Sequence, residues 1–440
     1  MYPRLTDEPG AAETIAAISS GALSLIEATE AAIARIETRD GALNAVVVRD
    51  FDRARAAAKA LQDAGPREGQ RLYGLPMTVK ESFDVAGLPT CWGIEDHAAH
   101  IATQDAMVVQ RLKAHGAVIL GKTNVPPSLA DWQAANPVYG RTNNPHDPAR
   151  SPGGSSGGSA AALASGMVAA EYGSDIGGSV RIPSHFSGVW GHKTTWGVVS
   201  SKGQEFPGSD GAEIPLGVVG PLARSAEDLA LLLEVTLNEP LPRAPKPVRE
   251  ARFLYLERHP LCPVDPAVQS PIEAAVAAIS ASGAQVDRSS PLLPDLAALH
   301  ADYMRMLGIV MSRGAPGPDG QVASAAQWFD LLDRQHHAQR SWAALFEHYD
   351  FVLMPPAALP AFAHDDRPMT ERIWEIADQG CGPEAVLAYA GIAIFAELPA
   401  TVLPIGAAGH LPTGLQVIGP RRGDRDCVAM AGAIGALVHG

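Results

Sequence analysis

Lysine is scarce in this chain, supplying only seven of 34 basic residues, and these are outnumbered by 48 acidic ones for a net charge of −14. No basic patch stands apart from that acidic background, and a surface of that sign repels phosphate backbones, so a nucleic-acid partner is excluded. Cysteine is also sparse: Cys91, Cys262, Cys381 and Cys427 lie far apart with no C-x-x-C pair. That spacing argues against a zinc ribbon or a disulfide framework and suits a reducing cytoplasm. No run reaches the ~18 uncharged apolar residues of a membrane span, and the N-terminal MYPRLTDEPG has no apolar core of an export signal.

What is present is apolar and turn-rich. Hydrophobic residues form 46% of the 440 and charged ones 19%, enough to offset folding entropy and exclude global disorder. Gly (43) and Pro (36) occur without a G-X-Y period, which reads as many tight turns joining short elements. No internal repeat and no clean linker divides the chain.

Residues 22–37 place Leu25, Ala28, Ala32, Ile33 and Ile36 at helical spacing, and 51–64 form an Ala-rich helix stopped by Gly65-Pro66. From there LPMTVKES (75–82) reads as a strand, 105–115 as a helix ended by Gly116, and AVIL (117–120) as a buried strand. Further helices are expected at 272–281 and 325–347, and strand-like runs return in FVLMPPAALPAF, ELPATVLPIG and TGLQVIG. Strands alternating with helices imply an α/β sheet covered on both faces. Two glycine-serine loops interrupt this pattern within one short stretch: the long polar segment 142–159 and GSDIGGSVR at 173–181.

Two formal motifs fail on their context. Gly116-Ala-Val-Ile-Leu-Gly121-Lys122-Thr123 matches a phosphate-binding loop, but its intervening residues read as a buried strand and Asn-Val-Pro-Pro follows where a helix must begin. Gly153-Gly-Ser155-Ser-Gly157 matches a nucleophile elbow, yet Pro148-Ala-Arg-Ser-Pro152 before it cannot be a central strand. None of the 14 His stands in a context that marks a catalytic base, and His336-His337 are neighbours on a helix that point apart.

A lysine can take that role if burial lowers its pKa by about three units, ~4 kcal/mol. Lys80, in the apolar PMTVKES, is the candidate, with a sheet-edge charge or an ion pair as the plainer reading. The Asp175-Ile-Gly-Gly-Ser179 turn offers successive backbone N–H groups to an oxyanion, or else is a glycine turn with Ser179 as helix N-cap.

With these three pieces in chain order, the sequence resembles the amidase signature family of serine hydrolases. The ungapped stretch SPGGSSGGSAAALASGMVAAEYGSDIGGSVRIPSHFSGVWG (151–191) carries the likeness, with weaker agreement at 75–87, 116–124, 220–235 and near the C-terminus. The resemblance implies Ser179 as nucleophile, Ser155 in a cis peptide as proton relay and Lys80 as base. It implies an oxyanion hole of the N–H groups of Ile176, Gly177, Gly178 and Ser179, braced by Asp175 and Arg181 and supported by Ser156 and Gly154. The family usually has G-L-K-P-T-x-G-R; here Gly191-His-Lys-Thr194-Thr-Trp-Gly-Val198 lacks the Pro and the Arg.

The fold so implied is a single α/β/α domain over 1–440, with a large twisted, mixed but mostly parallel sheet flanked by helices. Its parts are an N-terminal helical layer (about 1–65), a catalytic core (about 70–235), a variable substrate-facing region (about 240–380) and a core return (about 385–440). The implied activity is hydrolysis of small-molecule amides without metal or cofactor, extending to aryl carbamates and esters, with a homodimer left open. Segments 92–97 and 131–143, with Trp132, Tyr139, Tyr303, Met304 and Met306, are expected to form an apolar channel. Two alternatives stand beside it: a glutaminase-type component of a tRNA-dependent amidotransferase, which needs partner chains, and a P-loop nucleotide-binding protein resting only on Lys122-Thr123.

Overall fold

The computed structural model describes residues 5–209, 211–316 and 320–439. The N-terminal helices follow from local signals. Leu25–Arg39 starts at Ser24, whose hydroxyl accepts from Glu27 N while Glu27 reaches back to Ser24 N, and it buries the expected stripe of Leu25, Ala28, Ala32, Ile33 and Ile36. Phe51–Ala64 spans the expected residues and stops at Gly65.

Between these helices lies a strand that the helical pattern hides, β1 (Val46–Arg49). It pairs antiparallel with β3 (Val118–Thr123), and β3 pairs parallel with β2 (Pro76–Lys80), giving a three-stranded sheet of order β1-β3-β2. A Cβ at Gly121 would sit 2.0 Å from Val48 O, so this glycine is there to let β1 close on β3. Lys122 is fully buried in β3, its ammonium on Pro89 O and on Thr90 Oγ1 at 2.8 Å. The P-loop reading is thereby overturned, because a strand interior presents no cradle of N–H groups.

The second sheet holds eight strands: β4 (Ala170–Asp175), β5 (Trp190–Lys193), β6 (Val218–Ala223), β7 (Arg252–Tyr255), β8 (Gln285–Asp287), β9 (Phe351–Met354), β10 (Ala400–Ala408) and β11 (Leu411–Ile418). Their order is β8-β7-β9-β11-β10-β5-β6-β4. The sheet is mixed, but the expectation of mostly parallel pairing is corrected: only β8 with β7 and β7 with β9 run parallel. The remaining pairs are antiparallel. Helix Arg181–Ser187 does carry β4 over to a strand of the same direction, β5, yet β6 slots between them and runs against both. Alternation in sequence sets strand direction; it does not set adjacency.

Residues 240–380 contribute β7, β8 and β9 as well as the long helices Pro266–Ala281, Leu296–Ser312 and Ala325–Phe346. The last carries His336 and His337, both exposed. One continuous apolar core unites β2 with strands of the large sheet, including β11, and the C-terminal helix Asp424–His439. No helix among the described residues is long and apolar enough to cross a membrane.

Candidate active site

The site forms where β2 meets β4, at the junction of the two sheets. No ladder joins these strands; side chains do, Thr78 Oγ1 donating to Glu171 Oε1 and Lys80 Nζ to Ser174 Oγ at 2.9 Å. Lys80 also donates to Ser155 Oγ at 2.6 Å. It is fully buried, and that burial lowers its pKa to about 7 despite the opposing pull of Asp175 and Glu171. At that value about half the lysine is neutral near pH 7, against about one in 2,500 of an ordinary lysine.

Ser155 is delivered by a backbone that only glycine permits. The Gly154–Ser155 peptide is cis, and a Cβ on Gly154 would lie 2.3 Å from Asp131 O and 2.8 Å from Gln133 N. The helix Gly157–Ala164 that follows is buried on every side, which its small residues allow. Ser156 N–H donates to Ser179 O at 3.2 Å and ties this loop to the next turn.

That turn leaves β4 through Asp175. The buried carboxylate accepts from Gly178 N (2.8 Å) and Val180 N (3.0 Å) and pairs with Arg181 at 2.9 Å. Burial alone would raise its pKa; the Arg181 guanidinium and the backbone donors outweigh that and hold it at about 2. Arg181 is held in turn by Gln416 Oε1 (2.9 Å) and Ala390 O (3.1 Å). Because Gly178 N–H is committed to Asp175, the expected four-donor oxyanion hole is corrected to three. No acceptor among the described residues takes the N–H of Ile176, Gly177 or Ser179. Tyr303 OH donates to Ile176 O at 2.9 Å; since C=O and N–H of one peptide point oppositely, this aims Gly177 N–H away from Tyr303. Trp132 Nε1 donates to Gly177 O at 2.9 Å.

The helix after the turn begins at Arg181 with Val180 as N-cap and no side-chain cap, so Ser179 is not a capping residue. It lines two spaces instead: a wide cleft of about 1110 Å³ and a small inner chamber of about 30 Å³. Ser155 opens on the chamber alone. No hydrogen bond joins Ser155 Oγ to Ser179 Oγ in this unliganded state, a common looseness of catalytic contacts before substrate binds.

Three residues here escaped sequence reasoning. Ser174 accepts from Lys80, and Gln204 Nε2 donates to Ser174 at 2.8 Å from a loop with no periodic signature. Glu171 is buried with its pKa raised to about 7 by desolvation, against hydrogen bonds from Thr78, Ser159, Tyr172 N and Thr123. A carboxylate inside the apolar run MVAAEY was its only signal. Of the expected channel residues, Trp132 and Met304 do line the cleft, and Tyr303 lies buried beneath it. Tyr139 and Met306 do not line it: the Tyr139 hydroxyl donates to Glu81 at 3.1 Å, and Met306 packs in the core. Glu81 also takes Cys91 N (2.7 Å) and Trp92 N (3.0 Å), so Tyr139 helps to hold a loop.

The departures from the family pattern are accommodated locally. Thr194 Oγ1 donates to Val219 O at 2.9 Å, and Val198 is buried in the core. Thr195 N–H and hydroxyl donate to Asp424 at 2.7 and 2.8 Å, and His192 lies on the same carboxylate at 3.2 Å. All four cysteines are free and buried.

Comparison with known proteins agrees with this geometry. A family model described as Amidase matches residues 27–310 and 317–428. An indoleacetamide hydrolase of Bradyrhizobium diazoefficiens is 32% identical over 469 residues, 98% of this chain and 87% of that protein. The amidase-like component of the glutamyl-tRNA(Gln) amidotransferase of Anaeromyxobacter dehalogenans is 44% identical, but over only 51% of this chain and 45% of its own. The crystal structure of a bacterial aryl acylamidase of the amidase signature family superposes with TM-score 0.84 at 24% identity, covering 98% of this chain and 96% of that one.

Proposed function

The chain belongs to the Amidase family, whose members hydrolyse amides, and from that premise we propose that it cleaves amide C–N bonds through an acyl-enzyme on Ser179, with Ser155 as relay and Lys80 as base. The observation that carries this reading is the 2.6 Å contact of a buried, half-neutral Lys80 with Ser155 Oγ, beside a serine that lies among unclaimed backbone donors.

The steps follow from the atoms. Neutral Lys80 accepts the Ser155 proton as Ser155 Oγ accepts that of Ser179, and Ser179 Oγ attacks the carbonyl carbon. The N–H groups of Ile176, Gly177 and Ser179 take the developing oxyanion, each worth ~3 kcal/mol of barrier. The proton returns from Lys80 through Ser155 to the amide nitrogen, the C–N bond breaks and amine departs. Water then gives up a proton along the same relay and attacks the acyl carbonyl, releasing acid and Ser179.

The cleft beside Ser179 supports an apolar acyl group. Trp132, Met304, Leu307 and Leu387 line it, and Asp131 is neutralised by a bidentate bond from Arg372 at 2.6 and 2.7 Å. The name of the indoleacetamide hydrolase points to acyl groups of this type. Carbamates and esters present the same carbonyl and extend the range. The amidotransferase reading draws support from the half-length match alone, and the apolar cleft wall suits a glutamine side chain poorly.

Wild type and Ser179→Ala compared on arylacetamides, with matched carbamates and esters, test the proposal. Turnover lost by about four orders of magnitude in the variant is expected for removal of a nucleophile. Undiminished turnover would remove Ser179 from the role, and turnover of glutamine in preference to arylacetamides would favour the amidotransferase reading.

A further inference from the structure

The two spaces that meet at Ser179 differ about fortyfold in volume, about 1110 Å³ against about 30 Å³. Which substrate half enters which is decided by the proton. The leaving nitrogen must receive a proton from Ser155, and Ser155 lies on the wall of the small chamber and not on that of the wide cleft. Resting on the acyl-enzyme reading above, we propose that the inner chamber is the leaving-group site and that it selects primary amides, which release ammonia, over amides of bulky amines. The acyl group then occupies the wide cleft.

Volume sets the selection. About 30 Å³ holds a water-sized molecule or two and no aromatic ring. The walls are apolar and braced. Trp92 is 2% exposed; Phe206 stacks beside it at 5.3 Å between ring centroids, and the Arg313 guanidinium covers Phe206 at 5.3 Å. Ile214 joins Trp92 in one small apolar cluster, and Met311 stands between chamber and cleft, lining both. The floor is polar, made by Ser155, Ser174 and Gln204, and Ser174 Oγ can accept an N–H of the departing ammonia. Phe206 is only half-buried, so it is the wall whose removal opens the chamber outward.

The atoms balance without a further reactant: the amide C–N bond breaks, the nitrogen gains the proton held on Ser155, and one water completes hydrolysis to a carboxylic acid and ammonia. A matched pair tests the selection, phenylacetamide against its para-nitroanilide, with kcat/KM measured for each. Nitroaniline is chemically the better leaving group, yet wild type is expected to prefer the primary amide by about tenfold or more, the scale on which a site rejects excess bulk. Phe206→Ala should shift the anilide-to-amide ratio toward the anilide by about tenfold. Met311→Ala should move it in the same direction and serves if the first variant does not fold. Equal or faster anilide hydrolysis by wild type, or a ratio unmoved in the folded variants, overturns this inference while leaving the hydrolase reading intact. A wild type that turns over neither amide, and whose Ser179 resists a fluorophosphonate label, overturns the hydrolase reading itself and this inference with it.

Discussion

Lys80 and Lys193 are two fully buried lysines, and burial lowers both to about 7. Their surroundings differ in one chemical respect. Lys80 sits 2.6 and 2.9 Å from the hydroxyl oxygens of Ser155 and Ser174, groups with a proton to give. Lys193 meets the backbone carbonyl of Ala393 at 3.0 Å, which has none. Desolvation makes an amine basic at neutral pH; only a neighbour with a transferable proton makes that basicity useful. Lys122, lowered to about 8 by burial and held by Pro89 O and Thr90, falls on the structural side of the same comparison.

The largest expected effect that would break this contrast is at Lys80. Lys80→Met should lower kcat/KM by about a thousandfold, and Lys80→Arg by as much, because a guanidinium keeps its proton at working pH. Activity retained in the arginine variant would mean that charge, not proton transfer, is what the position supplies.

A smaller effect lies in the pH profile. The base works neutral, so kcat/KM should fall about tenfold per pH unit below the Lys80 pKa of about 7 and level off above it. Since Lys193 has the same value, the profile should be repeated in Lys193→Met, where the inflection is expected to stay in place.

The smallest effect is expected at Lys193 itself: kcat/KM within about tenfold of wild type in Lys193→Met, with the change appearing in stability. Its folded pKa lies below the ordinary lysine value, so between about pH 7 and pH 10 the unfolded chain binds more protons and stability rises with pH. Melting temperatures at pH 7 and pH 9.5 should therefore differ less in the variant than in wild type. An equal rise in both would show that Lys193 does not carry this linkage.

Much of the fold was legible because it depends on near neighbours. Ser24 with Glu27 starts one helix, Gly65 stops another, and Leu25 to Ile36 mark a buried stripe, all readable at helical spacing. β1 was hidden because four residues between two helices carry too little pattern. The antiparallel pairings were hidden because β6, distant in sequence from β4, lies beside it in space. At the site, Lys80, Ser155 and Ser179 stood out through their glycine-rich and apolar settings, whereas Gln204 in an irregular loop and Glu171 with Thr78 did not.

The sequence by itself determined the helices, most of the strands, the two glycine-serine turns and the identity of the reacting groups, since each depends on residues a few positions apart. Only tertiary structure decided that Lys80 meets Ser155 and Ser174 while Lys193 meets a carbonyl. It alone spent the Gly178 N–H on Asp175, took Tyr139 out of the cleft, and left a wide cleft and a narrow chamber on either side of Ser179. The physical reason is that pKa, hydrogen-bond partner and cavity volume depend on what surrounds a group in three dimensions, and those neighbours come from strands and loops far apart in the chain.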